Sequence, residues 1–284
     1  MKDNILFRKL LISGTLIWVG LLAVVPYLIL LRTSFLERGG EILQAAGWSL
    51  ANYTRLFSPA VFSMAVDSAL LAAGTALLCL LVGYPFAYIL VRSGEKAQPL
   101  LLLLVMIPFW TNSLIRTYAL VIMLKADGII NSLLLRLGLI DQPLQLMYTS
   151  VAVFIGLVYT LLPFMILPLF AAFKAMDLQL IEAGRDLGAG PLQTLLRIIV
   201  PLTMPGIIAG TMLVFLPALG MFYIADILGG ARSMLLGNYI RDQFLVFRDL
   251  PMGAAASVAM TVAMGILLLL YYLASRRSGG GHLK

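Results

Sequence analysis

Apolar blocks separated by short polar stretches dominate the chain. Six stand out, at about residues 10–31, 66–91, 100–124, 150–173, 203–224 and 254–274. Each holds about the 20 residues that a helix rising about 1.5 Å per residue needs to cross a hydrocarbon core about 30 Å thick. None alternates apolar and polar positions as a barrel strand would. Backbone N–H and C=O groups find no water in that core, and a helix satisfies them internally. The pattern predicts an all-α membrane protein with six transmembrane helices, in a single domain over residues 1–284.

Composition strengthens this reading. The chain is 61% hydrophobic and 12% charged, with a mean hydropathy of +1.00, whereas soluble domains carry about 25% charged residues. So little charge cannot cover a water-exposed surface, and lipid is the expected partner of most of it. The net charge of +7 is scattered over short loops with no dense basic tract. It is a topology signal rather than a nucleic-acid footprint. Cys79 is the only cysteine and His282, in a Gly-rich tail, the only histidine. Disulfide, thiolate-cluster and histidine-based chemistry are therefore not expected, and no metal site is.

Lysines and arginines set the orientation. With both termini cytoplasmic, the inner segments hold Lys2, Arg8, Lys9, Arg92, Lys96, Lys174, Arg185, Arg197, Arg276, Arg277 and Lys284, about 11 in roughly 55 residues. The outer loops hold Arg38, Arg55, Lys125, Arg136, Arg232, Arg241 and Arg248, about 7 in roughly 85. The first apolar run is too long for a signal peptide and has no small-residue cleavage site directly after it, so it reads as a retained anchor.

The segment 174–202 is long for an inner loop and is patterned. Asp177 suits an N-cap. Leu178, Ile181 and Leu187 fall near one helical face, with Glu182, Arg185 and Asp186 on the other flank. Gly188 suits the residue after a helix end, Gly190-Pro191 breaks the chain, and Pro191 suits a second helix start. Pro201 and Pro205 mark the start of the fifth span. A short helix, a glycine turn and a second short helix can dock a soluble partner or lie on lipid headgroups. The pattern alone leaves both open.

Glu182-Ala183-Gly184-Arg185-Asp186-Leu187-Gly188, followed after nine residues by Ile198-Ile199-Val200-Pro201, resembles the EAA loop of bacterial binding-protein-dependent ABC-importer permeases. That pattern is Glu-Ala-Ala, three residues, Gly, nine residues, Ile-x-Leu-Pro. This chain departs from it at Gly184 and Val200. Asn52-Tyr53-Thr54-Arg55-Leu56, Pro108-Phe109-Trp110-Thr111-Asn112-Ser113-Leu114-Ile115-Arg116, Pro201 to Gly210, and Phe222-Tyr223 with Asp226 and Gly229-Gly230 are similar to the spermidine/putrescine permeases of that family. The resemblance implies a type I importer permease fold (MetI-like) in the bacterial inner membrane. It implies a coupling helix over residues 178–188, with Glu182, Ala183, Gly184, Arg185, Asp186 and Gly188 meeting the ATPase. The implied partners are two copies of an ATP-binding subunit that uses ATP and Mg, a second homologous permease, and a periplasmic substrate-binding protein.

A polyamine needs carboxylates for its ammonium groups and aromatic faces for cations and methylenes. Polar groups within spans are costly and so are candidates for function. Trp110 and Asn112 interrupt the third span after Pro108, and the alternative for Asn112 is a helix–helix hydrogen bond. Tyr223 and Asp226 close the fifth span and offer one aromatic and one carboxylate, or else an interfacial tyrosine beside a helix-flanking acid. Asp67 opens the second span, as a pathway group or a helix N-terminal charge. Arg116 would repel a polycation and reads as structural, paired with an acid or reaching for the interface. Gly206 and Gly210 suit close helix packing.

No Gly-x-x-x-x-Gly-Lys-Ser/Thr run is present, and no span carries the acid/base chain of a proton relay. Energy is expected from a separate ATPase, no enzyme activity from this chain, and no cofactor on it. The rivals are a permease for another solute (sulfate, thiosulfate or an iron chelate), a secondary transporter, and a membrane-embedded enzyme.

Overall fold

The computed structural model describes residues 2–37, 47–177, 179–230 and 234–279. Arg38, Leu178, Arg232, His282 and Lys284 lie outside them. Among the described residues the chain is almost wholly helical; the only β pairing is an isolated antiparallel bridge between Leu36 and Trp48. Six apolar helical stretches are long enough to cross a membrane: Leu11–Ser34, Pro59–Arg92, Ser113–Arg136, Ser150–Ala175, Pro191–Gly220 and Leu250–Leu273.

The described residues group into two compact units. The first comprises residues 1–62 and 239–265. It contains helix α1 (Lys2–Ser34), α2 (Ala51–Leu56), the start of α3 (Pro59–Arg92), most of α12 (Leu236–Leu245) and the larger part of α13 (Leu250–Gly279). The Asn52-Tyr53-Thr54-Arg55 run fastens it. Asn52, buried, donates from Nδ2 to the carbonyls of Ser34 (3.1 Å) and Leu36 (2.9 Å), two acceptors at the end of α1 that have no further helical turn to serve them. Tyr53 shares a 2.7 Å hydrogen bond with the Ser34 hydroxyl and packs its ring on Phe35. Arg55 pairs at 3.6 Å with Asp249, whose carboxylate is buried and also accepts the Met252 N–H at 3.1 Å. One short motif thus ties off the first span and engages the cap of the sixth. Burial raises the Tyr239 hydroxyl above the ordinary phenol range; Arg55 draws it back and Asp249 adds to the rise.

The second unit comprises residues 63–238 and 266–284. Its core is built on α7 (Ser150–Ala175), whose Val153, Leu157, Leu161, Met165, Leu169 and Phe173 are buried at helical spacing. Ala72, Ala76 and Cys79 of α3 join that core, as do Val214 and Ala218 of α10 (Val200–Gly220). Helices α7 and α10 approach closely because Gly206 and Gly210 face α7. A Cβ on Gly206 would meet Ala172 Cβ and, at 2.8 Å, the Pro168 carbonyl oxygen; one on Gly210 would meet Met165 Sδ at 2.7 Å. With no hydrophobic drive between helices in lipid, such contact is what holds them together. Tyr84 of α3 adds a 3.0 Å hydrogen bond to Thr203.

Two spans differ from the sequence expectation. The apolar segment 100–124 is not one helix. It comprises α4 (Gln98–Met106), a 3₁₀ turn (Ile107–Trp110), a break at Thr111–Asn112 and α5 (Ser113–Leu124). A turn then leads to α6 (Ile129–Arg136), so the long apolar stretch here is Ser113–Arg136. Pro108 has no N–H to return to the preceding turn, and Thr111 is extended (φ −93°, ψ 146°). The fifth span starts at Pro191 rather than at 203. The second short helix, α9 (Pro191–Thr194), runs through a π turn (Leu195–Ile199) straight into α10. Pro201 cannot donate to Arg197, and a widened turn accommodates that loss without ending the helix.

Candidate functional site

Two places gather most of the residues singled out from the sequence. The first is the loop after α7. Helix α8 (Gln179–Asp186) begins where the Asp177 carboxylate accepts the Gln179 N–H at 2.9 Å. It ends at Gly188, whose φ of +82° is left-handed and open to glycine without steric cost. Gly188 N–H returns to the Arg185 carbonyl (2.9 Å) and Ala189 N–H to that of Gly184 (3.0 Å), the double closure that satisfies a helix end.

Only Ile181 and Gly184 of α8 are buried. Gly184 seats against Ile198 Cδ1 of the π turn, where an added Cβ would collide. Glu182, Ala183, Arg185, Asp186 and Gly188 are all exposed. Leu187 is not on the buried face that its spacing predicts; it is 89% exposed, at the tip beside the charged groups. One face of α8 is therefore anchored to the start of the fifth span. The other presents an acid, a base, a second acid and a leucine to whatever lies beyond the chain.

The second place is the far end of the fifth span. Helix α10 stops at Gly220, and Met221 breaks the backbone (φ −78°, ψ 73°). The turn α11 (Phe222–Ile224) and a π turn (Ala225–Gly229) then carry Tyr223 and Asp226. Gly156 of α7 admits Ile224 and Leu228, which fixes this double turn against the core. Asp226 accepts a hydrogen bond from Asn238 Nδ2. Asn238 is buried; its Oδ1 accepts the Leu235 N–H at 3.3 Å and its Nδ2 also reaches the Phe222 carbonyl at 3.4 Å. The neighbouring Leu236 N–H donates to Ser68 Oγ of α3 at 2.8 Å. Asp67, exposed, lines a cavity of about 350 Å³ with Leu70, Leu71, Ser150, Phe154 and Leu235 among its walls. The residues 234–238 are thus a common strap between α3, with Asp67 and Ser68, and the turn that holds Asp226.

Trp110 and Asn112 sit elsewhere, at the break in the third span. Trp110 is 77% exposed. Asn112 caps α5, its Oδ1 accepting the Leu114 N–H at 2.8 Å, so its polar group serves the backbone that the break leaves open. Arg116, one turn on, has no carboxylate partner among the described residues. Its guanidinium lies over Phe109 (5.5 Å) and Tyr159 (5.8 Å), with Nε and Nη1 buried and without hydrogen bonds. Tyr159 lies within α7, about 14 Å along it from Ser150 at 1.5 Å per residue, which puts the charge deep within the span.

Sequence reasoning did not single out Asn238, Ser68 or Asn131. Asn131 is fully buried, donates to the Lys125 and Leu144 carbonyls (3.1 and 2.9 Å) and accepts the Leu144 N–H (2.8 Å), organising the connection after α6. Ser68 and Asn131 lie within helical stretches long and apolar enough to span, where a polar group is a candidate for function; Asn238 lies between spans and carries no such signal.

Residues 79–278 match the family described as "Binding-protein-dependent transport system inner membrane component". The chain is 49% identical over 276 residues to the "Spermidine/putrescine transport system permease protein PotB" of Salmonella typhimurium (strain SL1344), covering 97% of this chain and 96% of that one. It is 51% identical over 259 residues to the protein of the same description in Escherichia coli (strain K12), covering 91% and 94%. It is 29% identical over 285 residues to the "Inner membrane ABC transporter permease protein YdcU" of Escherichia coli (strain K12), covering 95% and 89%. Among solved structures, a chain of the bacterial alginate ABC transporter in complex with an alginate pentasaccharide-bound periplasmic protein aligns with a TM-score of 0.75 at 18% identity, over 97% of this chain and 95% of that one. The family match runs through the α8 loop and the Asp226 turn alike, and the chain belongs to the family of binding-protein-dependent transport system inner membrane components.

Proposed function

We propose that this chain is a permease subunit of an ATP-driven ABC importer for polyamines, spermidine and putrescine. One observation carries the reading: about half of all positions, over nearly the whole of both chains, are shared with spermidine/putrescine permeases. The chain has no enzymatic step of its own. ATP and Mg are used by a separate ATP-binding subunit, present in two copies, and a substrate-binding protein delivers the solute. A second, homologous permease completes the pathway. Both termini are cytoplasmic, in keeping with the density of Lys and Arg in the loops on that side.

In this reading α8 is the coupling helix. Its anchored face, Ile181 and Gly184, lies against the turn that opens the fifth span. Its free face, Glu182, Ala183, Arg185 and Asp186 with Gly188 at the end, meets the ATPase. Movement imposed by the nucleotide cycle passes to α10 through one short contact. At the other end Tyr223 and Asp226 offer an aromatic face and a carboxylate to an ammonium group, with Asp67 nearby on α3 and with Trp110 and Asn112 at the break in the third span.

The test is spermidine uptake by the complex reconstituted in vesicles with the ATPase, second permease and binding protein. Wild type accumulates spermidine only with ATP. Glu182→Lys inserts normally but loses most ATP-driven uptake, because it reverses a charge on the free face of α8. Undiminished uptake in that variant would remove the coupling role. A complex that binds but never moves spermidine would remove the polyamine reading.

A further inference from the structure

The proposed carboxylate of the pathway does not set its own direction. Asp226 lies in a π turn, a backbone form with a wide, loosely hydrogen-bonded turn, two elements beyond the point where α10 ends. One group that holds it lies across the strap. Asn238 is 3% exposed, and its amide makes three contacts: to the Leu235 N–H, to the Phe222 carbonyl and to the Asp226 carboxylate. Two of these groups lie on the double turn and one on the strap, so the amide fixes the carboxylate relative to both.

Its own placement is over-determined. Ser68 Oγ takes the Leu236 N–H. Gly237 lets the first turn of α12 lie against the end of the fifth span: a Cβ there would stand 3.2 Å from Phe222 Cβ and 3.3 Å from the Gly220 carbonyl oxygen. The residue type also matters. Asparagine offers a donor to the carboxylate and an acceptor to the strap at once, whereas aspartate or leucine offers at most one of these. Being neutral, the amide orients the carboxylate without cancelling its charge.

We infer that Asn238 is a positioning residue for polyamine passage, holding the Asp226 carboxylate in the direction from which it takes an ammonium group. The inference rests on the reading of Asp226 as a pathway group, and a double-mutant cycle separates the two. Initial rates of spermidine uptake are measured for wild type, Asn238→Leu, Asp226→Asn and the double variant. Each complex carries all its partner subunits and is normalised to the permease that co-purifies with the tagged ATPase. If Asn238 works through Asp226, its loss lowers uptake about tenfold in the wild-type background and less than about twofold in the Asp226→Asn background, the non-additivity of two groups acting as one.

A residue that merely holds the fold would cost the same factor in both backgrounds, and that result overturns the inference, as does full uptake in Asn238→Leu. Asn238→Ala, which removes both the donor and the acceptor with a smaller side chain, repeats the cycle should the leucine variant fail to assemble. Undiminished uptake in Asp226→Asn alone removes the reading itself, and with it the role of Asn238.

Discussion

Glycine-to-alanine changes at two positions of the second unit have opposite signs, and the neighbouring atom decides which. Gly184 sits within α8, where glycine is about 1 kcal/mol less favourable than alanine. Its missing Cβ would meet Ile198 Cδ1, the far end of a flexible chain that can turn aside. Gly206 sits within α10, where the missing Cβ would meet the Pro168 backbone oxygen at 2.8 Å, and a packed helix backbone cannot give way. Gly184→Ala is therefore expected to raise stability by up to about 1 kcal/mol, and Gly206→Ala to lower it by about 1–3 kcal/mol through overpacking. Thermal unfolding of the purified chain in detergent checks both, and a loss in the first or a gain in the second would break the argument. The sequence separates these glycines in part. Gly188 suits a helix end, which calls for a left-handed residue, and the spacing of Gly206 and Gly210 suits close helix packing. Which atoms oppose Gly184 and Gly206 depends on residues far along the chain or on another helix, which no local pattern contains.

Elements are legible where a backbone rule acts locally. The break in the third span agrees with Pro108 and a run of polar residues, and Asn112 caps α5 beyond it. The start of the fifth span is harder to place, because prolines at 201 and 205 read as a boundary; a π turn upstream lets the helix pass through them. The Asn52 run is visible as a match but not as a mechanism, since its partners, the Ser34 and Leu36 carbonyls and Asp249, are separated from it by stretches without pattern. The mechanism gives a prediction. Asn52→Ala leaves two carbonyls without their donor, at a cost of about 1–3 kcal/mol for a buried group left unsatisfied. The damage is expected at the end of α1 rather than in the second unit. Hydrogen exchange of the purified chain should show faster exchange over residues 30–36 and unchanged rates in α7; uniform loosening would count against a local clamp.

At the scale of the whole chain, hydropathy makes the fold legible, because lipid leaves the backbone only one economical solution in runs of this length. The direction of the spans is a weaker signal, a difference in loop charge density. The single cysteine makes it open to direct measurement. Cys79 is buried in the core of α3 and offers a bulky, charged maleimide no approach, so the native chain is a quiet background for introduced thiols. Glu95, between the second and third spans, and Asp141, between the third and fourth, are both exposed. With both termini in the cytoplasm, Asp141→Cys reacts with an impermeant maleimide in intact cells stripped of their outer membrane. Glu95→Cys reacts only after the inner membrane is opened. Three crossings precede Asp141 and two precede Glu95, so reversal of both results would invert every span, and with them the side on which α8 can meet an ATPase. Labelling of both from outside would instead mean that the third segment, from α4 through the Ser113–Arg136 stretch, does not cross.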